Sequence, residues 1–112
     1  MYEKGQGVEK DYKKAIELYR KAADQGEVKA QFNLGAMYQF GKGVEEAYKK
    51  AAGWYLKAAK QGDSGAQAIL GMMYADGIGV KQDYKKALKW LKLAAEQGSE
   101  EAKEALKRLG EE

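Results

Sequence analysis

The sequence contains no cysteine, no histidine and no proline. Without cysteine the chain can form neither a disulfide nor a thiolate metal site. Without histidine it lacks the side chain that most often acts as a general base or metal ligand near neutral pH. Threonine is also absent, and an enzyme would have to use Asp, Glu, Lys and Tyr, but no paired carboxylates fall on an apolar face. The sequence therefore predicts no enzymatic activity, no metal site and no cofactor.

Long apolar runs are also missing. No segment approaches the ~18–20 apolar residues of a membrane span, and none has the apolar core of a secretory signal, so we expect no membrane association. The absence of proline is typical of an almost wholly helical chain. The 14 glycines of such a chain must mostly mark the ends of helices. The length of 112 residues fits one domain, residues 1–112.

The glycines belong to an internal repeat of 36 residues, which divides the chain into units 2–37, 38–73 and 74–109. The three units carry the same residue at 14 of the 36 aligned positions. The shared segments are a Tyr-x-x-Gly-x-Gly-Val loop, a Tyr-Lys-Lys-Ala run, an Ala-Ala pair and a Gln-Gly pair. A period of this length is typical of helical repeat proteins, which stack one hairpin on the next.

Each unit contains two amphipathic helices, with first helices predicted over 11–24, 47–60 and 83–96 and second helices over 27–39, 63–75 and 99–109. The inward stripe of the first helix is predicted to hold Tyr12, Ala15, Ile16, Leu18, Tyr19, Ala22 and Ala23. Trp54 and Trp90 stand at the position of Leu18 in the other two units. Tyr48 and Tyr55 are also predicted to lie in the core. Gly26, Gly62 and Gly98 should end the first helices with positive φ. Asp63 and Ser99 are predicted N-caps.

The predicted fold is all-α: an α-solenoid of three helix–turn–helix repeats. In the last helix Phe32 is replaced by Glu104, Gly35 by Lys107 and Ala36 by Arg108. Charged residues at positions that would otherwise pack a neighbouring hairpin predict a C-terminal cap facing solvent.

These motifs resemble the Sel1-like repeat, a relative of the tetratricopeptide repeat. The resemblance rests on Ala-x-x-x-Leu-Gly-x-Met-Tyr at 30–38 and 66–74, on the Gly-x-Gly-Val loops, and on Lys-Ala-x-x-Trp-Tyr-x-Lys-Ala-Ala at 50–59. It implies a right-handed α/α superhelix whose concave side is lined by the first helices. It also implies an adaptor role, in bacterial host interaction, signalling or membrane-protein quality control, and it brings no catalytic residues.

Two origins remain open for a non-enzymatic scaffold that binds a protein or peptide. The Ala-, Glu- and Lys-rich stretch 99–109 and an opening in mid-repeat favour an engineered, partly idealised scaffold. Gly53 and Gly65 oppose this interpretation, because a glycine within a helix costs ~0.5–1 kcal/mol relative to Ala. The alternative is a fragment of a natural adaptor with a specific protein partner.

Charge is concentrated on the outer face of the first helices. Their eighteen outward positions carry 12 basic and 3 acidic residues, although the whole chain has a net charge of only +3. The candidate binding surface drawn from them, with one exposed loop residue, comprises Lys13, Glu17, Arg20, Lys49, Lys50, Gly53, Leu56, Lys57, Lys85, Lys89, Lys92, Leu93 and Phe40. An acidic peptide is the favoured ligand and nucleic acid a minor alternative. The competing interpretation is that lysine merely favours helix and solubility, since no aromatic residue occurs among the eighteen positions.

The sequence also predicts a weak self-association. The first hairpin should present an apolar side that only residues 1–10 can shield, whereas the other end of the solenoid is charged. Two apolar ends can pair with each other and close after two copies. We therefore expect a monomer that forms an N-to-N dimer at high concentration.

Overall fold

The computed structural model describes residues 6–41 and 45–110, with side chains described over 14–41 and 47–110. These ranges hold helices and turns and no strand. The helices are α1 (Gln6–Asp24), α2 (Val28–Gly41), α3 (Glu45–Lys60), α4 (Ser64–Asp76), α5 (Tyr84–Glu96) and α6 (Glu100–Arg108). They stack in chain order into an elongated body of 47 × 26 × 26 Å. The predicted all-α solenoid is confirmed.

The most extensive contacts join α2 to α3 and α4 to α5. These pairs contain the Gly-x-Gly-Val segments, so the tightest packing lies across the inter-repeat loops. The loop between α4 and α5 is described in full: Gly77 and Gly79 have φ of 71° and 75°, and Val80 packs against the central core. The equivalent residues 42–44 lie outside the described ranges.

The predicted start of α1 is wrong. The helix begins at Gln6, five residues before the predicted start at residue 11, and it includes Gly7 and Val8, which the repeat pattern assigns to a loop. A single glycine costs only about 1 kcal/mol in a helix, and Glu9 and Lys10 favour helix at the positions that follow. The loop pattern therefore does not enforce a turn in the first copy. Tyr12 and Lys13 lie in this helix, but their side chains are outside those that the structure describes.

Glycine ends each first helix as predicted. Gly26, Gly62 and Gly98 have φ of 93°, 98° and 96°, and each backbone N–H donates to the carbonyl of the second alanine of the preceding Ala-Ala pair at 2.9 Å. Side chains with a Cβ resist this conformation, so glycine permits the next helix to start only two residues later in each copy.

Capping side chains start the following helices. The Asp63 carboxylate accepts from the Ala66 backbone N–H at 2.8 Å, and the Ser99 hydroxyl accepts from the Ala102 N–H at 3.1 Å. Both predicted N-caps are confirmed. Asp83 caps α5 in the same way, accepting from the Lys86 N–H at 3.1 Å, and the sequence analysis missed this residue.

Successive hairpins meet where a large side chain of a first helix covers a glycine of the preceding second helix. Tyr55 is fully buried and its ring lies over Gly35, where an added Cβ would be 2.8 Å from Cε1. Leu91 covers Gly71 in the next copy, with an added Cβ 2.7 Å from Cγ. The Tyr55 ring also meets Phe32 edge to face, and its hydroxyl donates to Gln39 Oε1 at 2.7 Å.

A second joint between hairpins is a ladder of glutamine amides. Gln61 Nε2 donates to the Gly26 carbonyl and to Gln31 Oε1, both at 2.9 Å, while the buried Gln31 donates to the Ala23 carbonyl at 3.2 Å. The pattern recurs 36 residues later, where Gln97 donates to Gly62 and Gln67 and the buried Gln67 donates to Ala59. These bonds satisfy buried polar groups while they fix the register of one hairpin on the next.

The side chains predicted for the core are buried to different degrees along the solenoid. Tyr55 and Trp90 are buried, and Trp54 and Tyr48 are half-buried. The inward prediction is wrong for Leu18, which is 63% exposed, and Tyr19, the counterpart of Tyr55, is 38% exposed. Both sit on the side of α1 against which no described helix packs. Ala23 and Ile16 on the neighbouring side pack in a small cluster with Leu34 of α2.

The last helix has a charged, exposed outer side, and its role as a C-terminal cap stays a prediction. Ala102, Ala105 and Leu106 are buried against α5, and Glu104, Lys107 and Arg108 are exposed. Glu100 and Glu101 occupy the first turn, whereas Lys107 and Arg108 occupy the last. This arrangement complements the helix dipole.

Candidate functional site

The predicted outward face of α1, α3 and α5 is exposed almost throughout its described part. We call these residues the basic face; the exposed members are Lys14, Glu17, Arg20, Lys21, Asp24, Lys49, Lys50, Gly53, Lys57, Lys60, Lys85, Lys86, Lys89, Lys92, Leu93 and Glu96. Leu56 is the exception, because it is half-buried against the central core. Its predicted exposure is corrected accordingly.

Aromatic rings lie beside this face and contact its lysines. The ammonium of Lys57 is 4.6 Å from the ring centroid of Trp54, and that of Lys89 is 5.1 Å from Trp90. Lys50 lies 5.5 Å from the ring of Tyr38, and Lys86 lies at the same distance from Tyr74. An ammonium within about 6 Å of a ring centroid is attracted by the ring quadrupole.

The contacts recur with the 36-residue repeat, but not identically. Lys50–Tyr38 and Lys86–Tyr74 are strictly equivalent. The tryptophans are approached from different helical positions, by the residue three positions after Trp54 and by the residue immediately before Trp90. The sequence explains the exchange, because Gly53 stands at the position of Lys89 and Leu93 at the position of Lys57. Each tryptophan therefore keeps one lysine.

The four ring-bound lysines contact no carboxylate within the described part of the chain. Within the described ranges, none of Lys50, Lys57, Lys86 and Lys89 has a carboxylate partner, and the ion pair found there joins Lys103 to Glu100 of α6 at 3.5 Å. The ring contacts restrict each ammonium without cancelling its charge. The arrangement thus offers fixed cations next to apolar ring edges.

The sequence predicts no aromatic residue among the outward positions, but aromatic rings from neighbouring positions do reach the basic face. Counting outward positions alone omits Trp54, Tyr38 and Tyr74, whose half-buried rings reach the same surface. A signal was present in the spacing of Trp54 and Lys57, since residues three apart are neighbours on a helix. The tyrosines come from the second helices, so only the tertiary packing brings them to the lysines.

The remaining candidate residues have simpler surroundings. An added Cβ at Gly53 would meet nothing within 4 Å, so this glycine is not required by packing. Gly65 differs, because Phe32 Cε2 would lie 3.2 Å from its added Cβ. Phe40 is 79% exposed, as the sequence predicts. The predicted loop position is wrong, because α2 continues to Gly41 and includes Phe40. The role of Phe40 as a contact residue stays a prediction.

Titratable groups show one resolved perturbation in the described part of the chain. Burial raises the pKa of Tyr55 to about 12 from its ordinary 10.0, and its hydroxyl serves the contact with Gln39. The described side chains include no group of His, Cys, Asp and Glu arranged to hold a metal ion. Among the described helices, none has the length and apolar character needed to cross a membrane.

The chain matches the Sel1 repeat over residues 1–27, 28–63 and 64–99. It belongs to the Sel1 repeat family. The second and third matched ranges start at the second helices of our units, so the family divides the same 36-residue period at another point and groups α2 with α3 and α4 with α5. Members of this family are generally protein-interaction scaffolds and mostly non-enzymatic.

Solved Sel1 repeat structures resemble the chain closely. A Sel1 repeat protein from Oxalobacter formigenes has a TM-score of 0.76 and 45% identity over 81% of this chain and 26% of its own. The protective antigen c5321 of uropathogenic Escherichia coli, which displays an SLR fold, has a TM-score of 0.75 and 43% identity over 81% of this chain and 20% of its own. The chain thus spans about a quarter and a fifth of these two proteins.

Cysteine rich protein B of Helicobacter pylori is similar over most of both chains. The TM-score is 0.75 and the identity 33%, covering 84% of this chain and 71% of that one. The present chain has no cysteine, so no disulfide contributes to the stability of its solenoid. Among curated proteins, none matches the chain.

Proposed function

We propose that this Sel1 repeat chain is a non-enzymatic scaffold that binds an acidic peptide segment of a protein on the basic face. The observation that carries the proposal is a set of four ammonium groups that lie over aromatic rings, two in each of two successive repeats, and that contact none of the described carboxylates. The family's general role in protein interaction supports the class of partner.

The chemistry of the face explains why an acidic peptide fits it. A peptide carboxylate can approach Lys57 or Lys89 from the side opposite the ring, so the cation bridges the ring and the anion. Each exposed ring contact contributes about 0.5–1 kcal/mol and limits the freedom of a flexible lysine before binding. Apolar side chains of the same peptide can pack beside Trp54 and the half-buried Leu56.

The experiment measures fluorescence anisotropy of a labelled Glu-rich peptide that also contains leucine. The test variant changes Lys57, Lys86 and Lys89 to Glu, and the control changes the exposed Lys29, Lys81 and Lys107 to Glu. Both variants have the same net charge. We expect the test variant to weaken binding by roughly tenfold or more, about 1.4 kcal/mol, and the control to weaken it several times less. Equal losses would show that only overall charge matters and would overturn the proposal.

Two further arms separate the acidic peptide from other ligands. A peptide with Gln in place of each Glu should not bind measurably. A single-stranded oligonucleotide should bind more weakly than the peptide; if it binds more tightly and its affinity falls steeply with salt, the face serves polyanions instead. The origin of the chain, engineered or natural, does not alter these expectations.

A further inference from the structure

One residue of the basic face, Gly53, is a glycine that the fold does not require. It lies within α3, where its helical backbone has no positive φ and where glycine destabilises a helix relative to alanine. Leaving aside its neighbours in sequence, a Cβ added at Gly53 would meet nothing within 4 Å, whereas a Cβ at Gly35 or Gly71 would lie no more than 2.8 Å from a packed side chain. Gly53 therefore keeps a space open that the described part of the chain does not fill.

The open space lies beside the ring of Trp54. In the third unit two large side chains flank the equivalent ring, Lys89 before Trp90 and Leu93 three positions after it. The Lys89 ammonium is 5.1 Å from that ring centroid, and Trp90 is only 8% exposed. In the second unit the residue before the tryptophan is Gly53, which has no side chain to cover the ring, and Trp54 is half-buried. The second unit thus leaves part of an indole ring accessible on the basic face.

This open space is apolar at its centre and basic around it. We call it the Gly53 notch and define it by Gly53, Trp54 and Leu56, the last of which is half-buried. Residues three and four positions apart are neighbours on the surface of a helix. For Gly53 these neighbours are Lys49, Lys50, Leu56 and Lys57. The three lysines are exposed, and the ammonium of Lys57 lies 4.6 Å from the Trp54 ring centroid. A ligand side chain that fills the notch must therefore be apolar, with acidic groups on either side of it.

We infer that the Gly53 notch binds a leucine side chain of the acidic peptide, and that Gly53 determines this specificity. The inference rests on the function proposed for the basic face and names the sequence that this face selects, a leucine flanked by acidic residues. Lys89 indicates the size of the space, because the four carbons of its side-chain stem equal the four carbons of a leucine side chain. The leucine covers the Trp54 ring where the chain supplies no such stem, and the flanking carboxylates meet the lysines.

Gly53→Lys tests this inference by the direction of its effect. The variant gives the second unit the residue that the third unit has at position 89, so it adds positive charge to the basic face while it fills the notch. Attraction between charges alone would tighten the binding of an acidic peptide. We expect instead that a labelled peptide with one leucine between two pairs of glutamates binds roughly fivefold more weakly in fluorescence anisotropy.

The control variant is Ile78→Lys, which adds the same charge away from the notch. Ile78 is 40% exposed, and its equivalent in the second unit is Lys42. This variant should bind the leucine peptide at least as tightly as the parent chain does. A second peptide, with alanine in place of leucine, should bind the parent roughly fivefold more weakly than the leucine peptide. Gly53→Lys should no longer distinguish the two peptides.

Quenching of tryptophan fluorescence by acrylamide tests the notch without any peptide. Gly53→Lys should reduce the quenching because the lysine stem covers Trp54, whereas Ile78→Lys should leave it unchanged. Saturating leucine peptide should protect the parent chain from acrylamide in the same way. Equal quenching of the parent and Gly53→Lys would overturn the inference, because no accessible ring would then lie beside Gly53.

The two peptides separate a failure of the notch from a failure of the proposed function. Tighter binding of the leucine peptide to Gly53→Lys, or equal affinity of the parent for both peptides, would overturn the notch and leave the binding of acidic peptides standing. A parent chain that binds neither peptide would overturn both.

Discussion

Three interior helical glycines allow the packing between hairpins to be tested with a matched substitution. Gly71→Ala and Gly35→Ala each place a methyl group at an inter-repeat joint, whereas Gly53→Ala places the same methyl group in open space. All three glycines lie within helices. The intrinsic gain from replacing glycine by alanine is therefore similar, about 0.5–1 kcal/mol, and differences between the variants report the packing.

The cost at the joints follows from the contacts. At Gly71 the new Cβ would lie 2.7 Å from Leu91 Cγ and 3.2 Å from the Ala87 carbonyl oxygen. At Gly35 it would meet the ring of Tyr55, whose hydroxyl is held by Gln39 and whose edge rests on Phe32. Neither neighbour is a free side-chain end. Overpacking of this kind costs about 1–3 kcal/mol, so each joint variant should lose about 0.5–2 kcal/mol net.

Urea unfolding followed by circular dichroism measures all three variants against the parent chain. Gly53→Ala should raise the free energy of unfolding by about 0.5–1 kcal/mol, and the two joint variants should lower it. The urea dependence should stay constant, which would show that only stability has changed. A Gly71→Ala variant as stable as Gly53→Ala would refute the view that these glycines hold adjacent hairpins at close distance.

Four other expectations follow from the described contacts. Gln67→Leu should cost about 1–3 kcal/mol in urea unfolding, because it leaves the Gln97 amide and the Ala59 carbonyl without their buried partner. Gly62→Ala should cost about 1–2 kcal/mol and lower the melting temperature, since φ is 98° there. Burial raises the pKa of Tyr55 to about 12, so the neutral phenol stabilises the fold fully below pH 10. This contribution to the free energy of unfolding is lost as the pH rises from 10 through about 12. Tyr55→Phe should therefore lose less stability than the parent chain across that pH range. Sedimentation at increasing concentration should detect a monomer that dimerises weakly, and Leu18→Lys should abolish the dimer.

The sequence predicts the fold well because the features that specify it are local and repeated. Positive φ at Gly26, Gly62 and Gly98 follows from glycine after an amphipathic run, and capping by Asp63 and Ser99 follows from residue type at a helix start. Lys107 at the position of Gly35 and Gly71 distinguishes α6 from α2 and α4 without any structural information. Each of these inferences compares a residue with its neighbours or with its equivalents 36 positions away.

The errors in predicted burial arise where the burial of a residue depends on a helix from another unit. The periodicity places Leu18 on the inner face as it does Trp54, but it does not show which neighbouring helix is present to cover that face. The buried pair Gln31 and Gln67 has the same character. The sequence shows a polar residue on an otherwise apolar helix, but not its hydrogen-bond partners. For Gln67 these partners are the Gln97 amide and the Ala59 carbonyl, which only the folded structure brings together.

One helical position links the packing between hairpins to the basic face. It is occupied by Leu18, Trp54 and Trp90, whose exposure falls from 63% through an intermediate value to 8%. The preceding second helix packs beneath each tryptophan, and a lysine contacts another part of the ring. Stacking one hairpin on another therefore also forms one lysine–ring pair of the basic face. In the first unit Lys21 stands where Lys57 approaches Trp54, but Leu18 has no ring, and among the described helices none packs against the exposed side of Leu18. If the basic face binds a peptide as proposed, the length of its binding surface is set by the number of complete joints between hairpins, because a lysine outside such a joint has no tryptophan ring beside it.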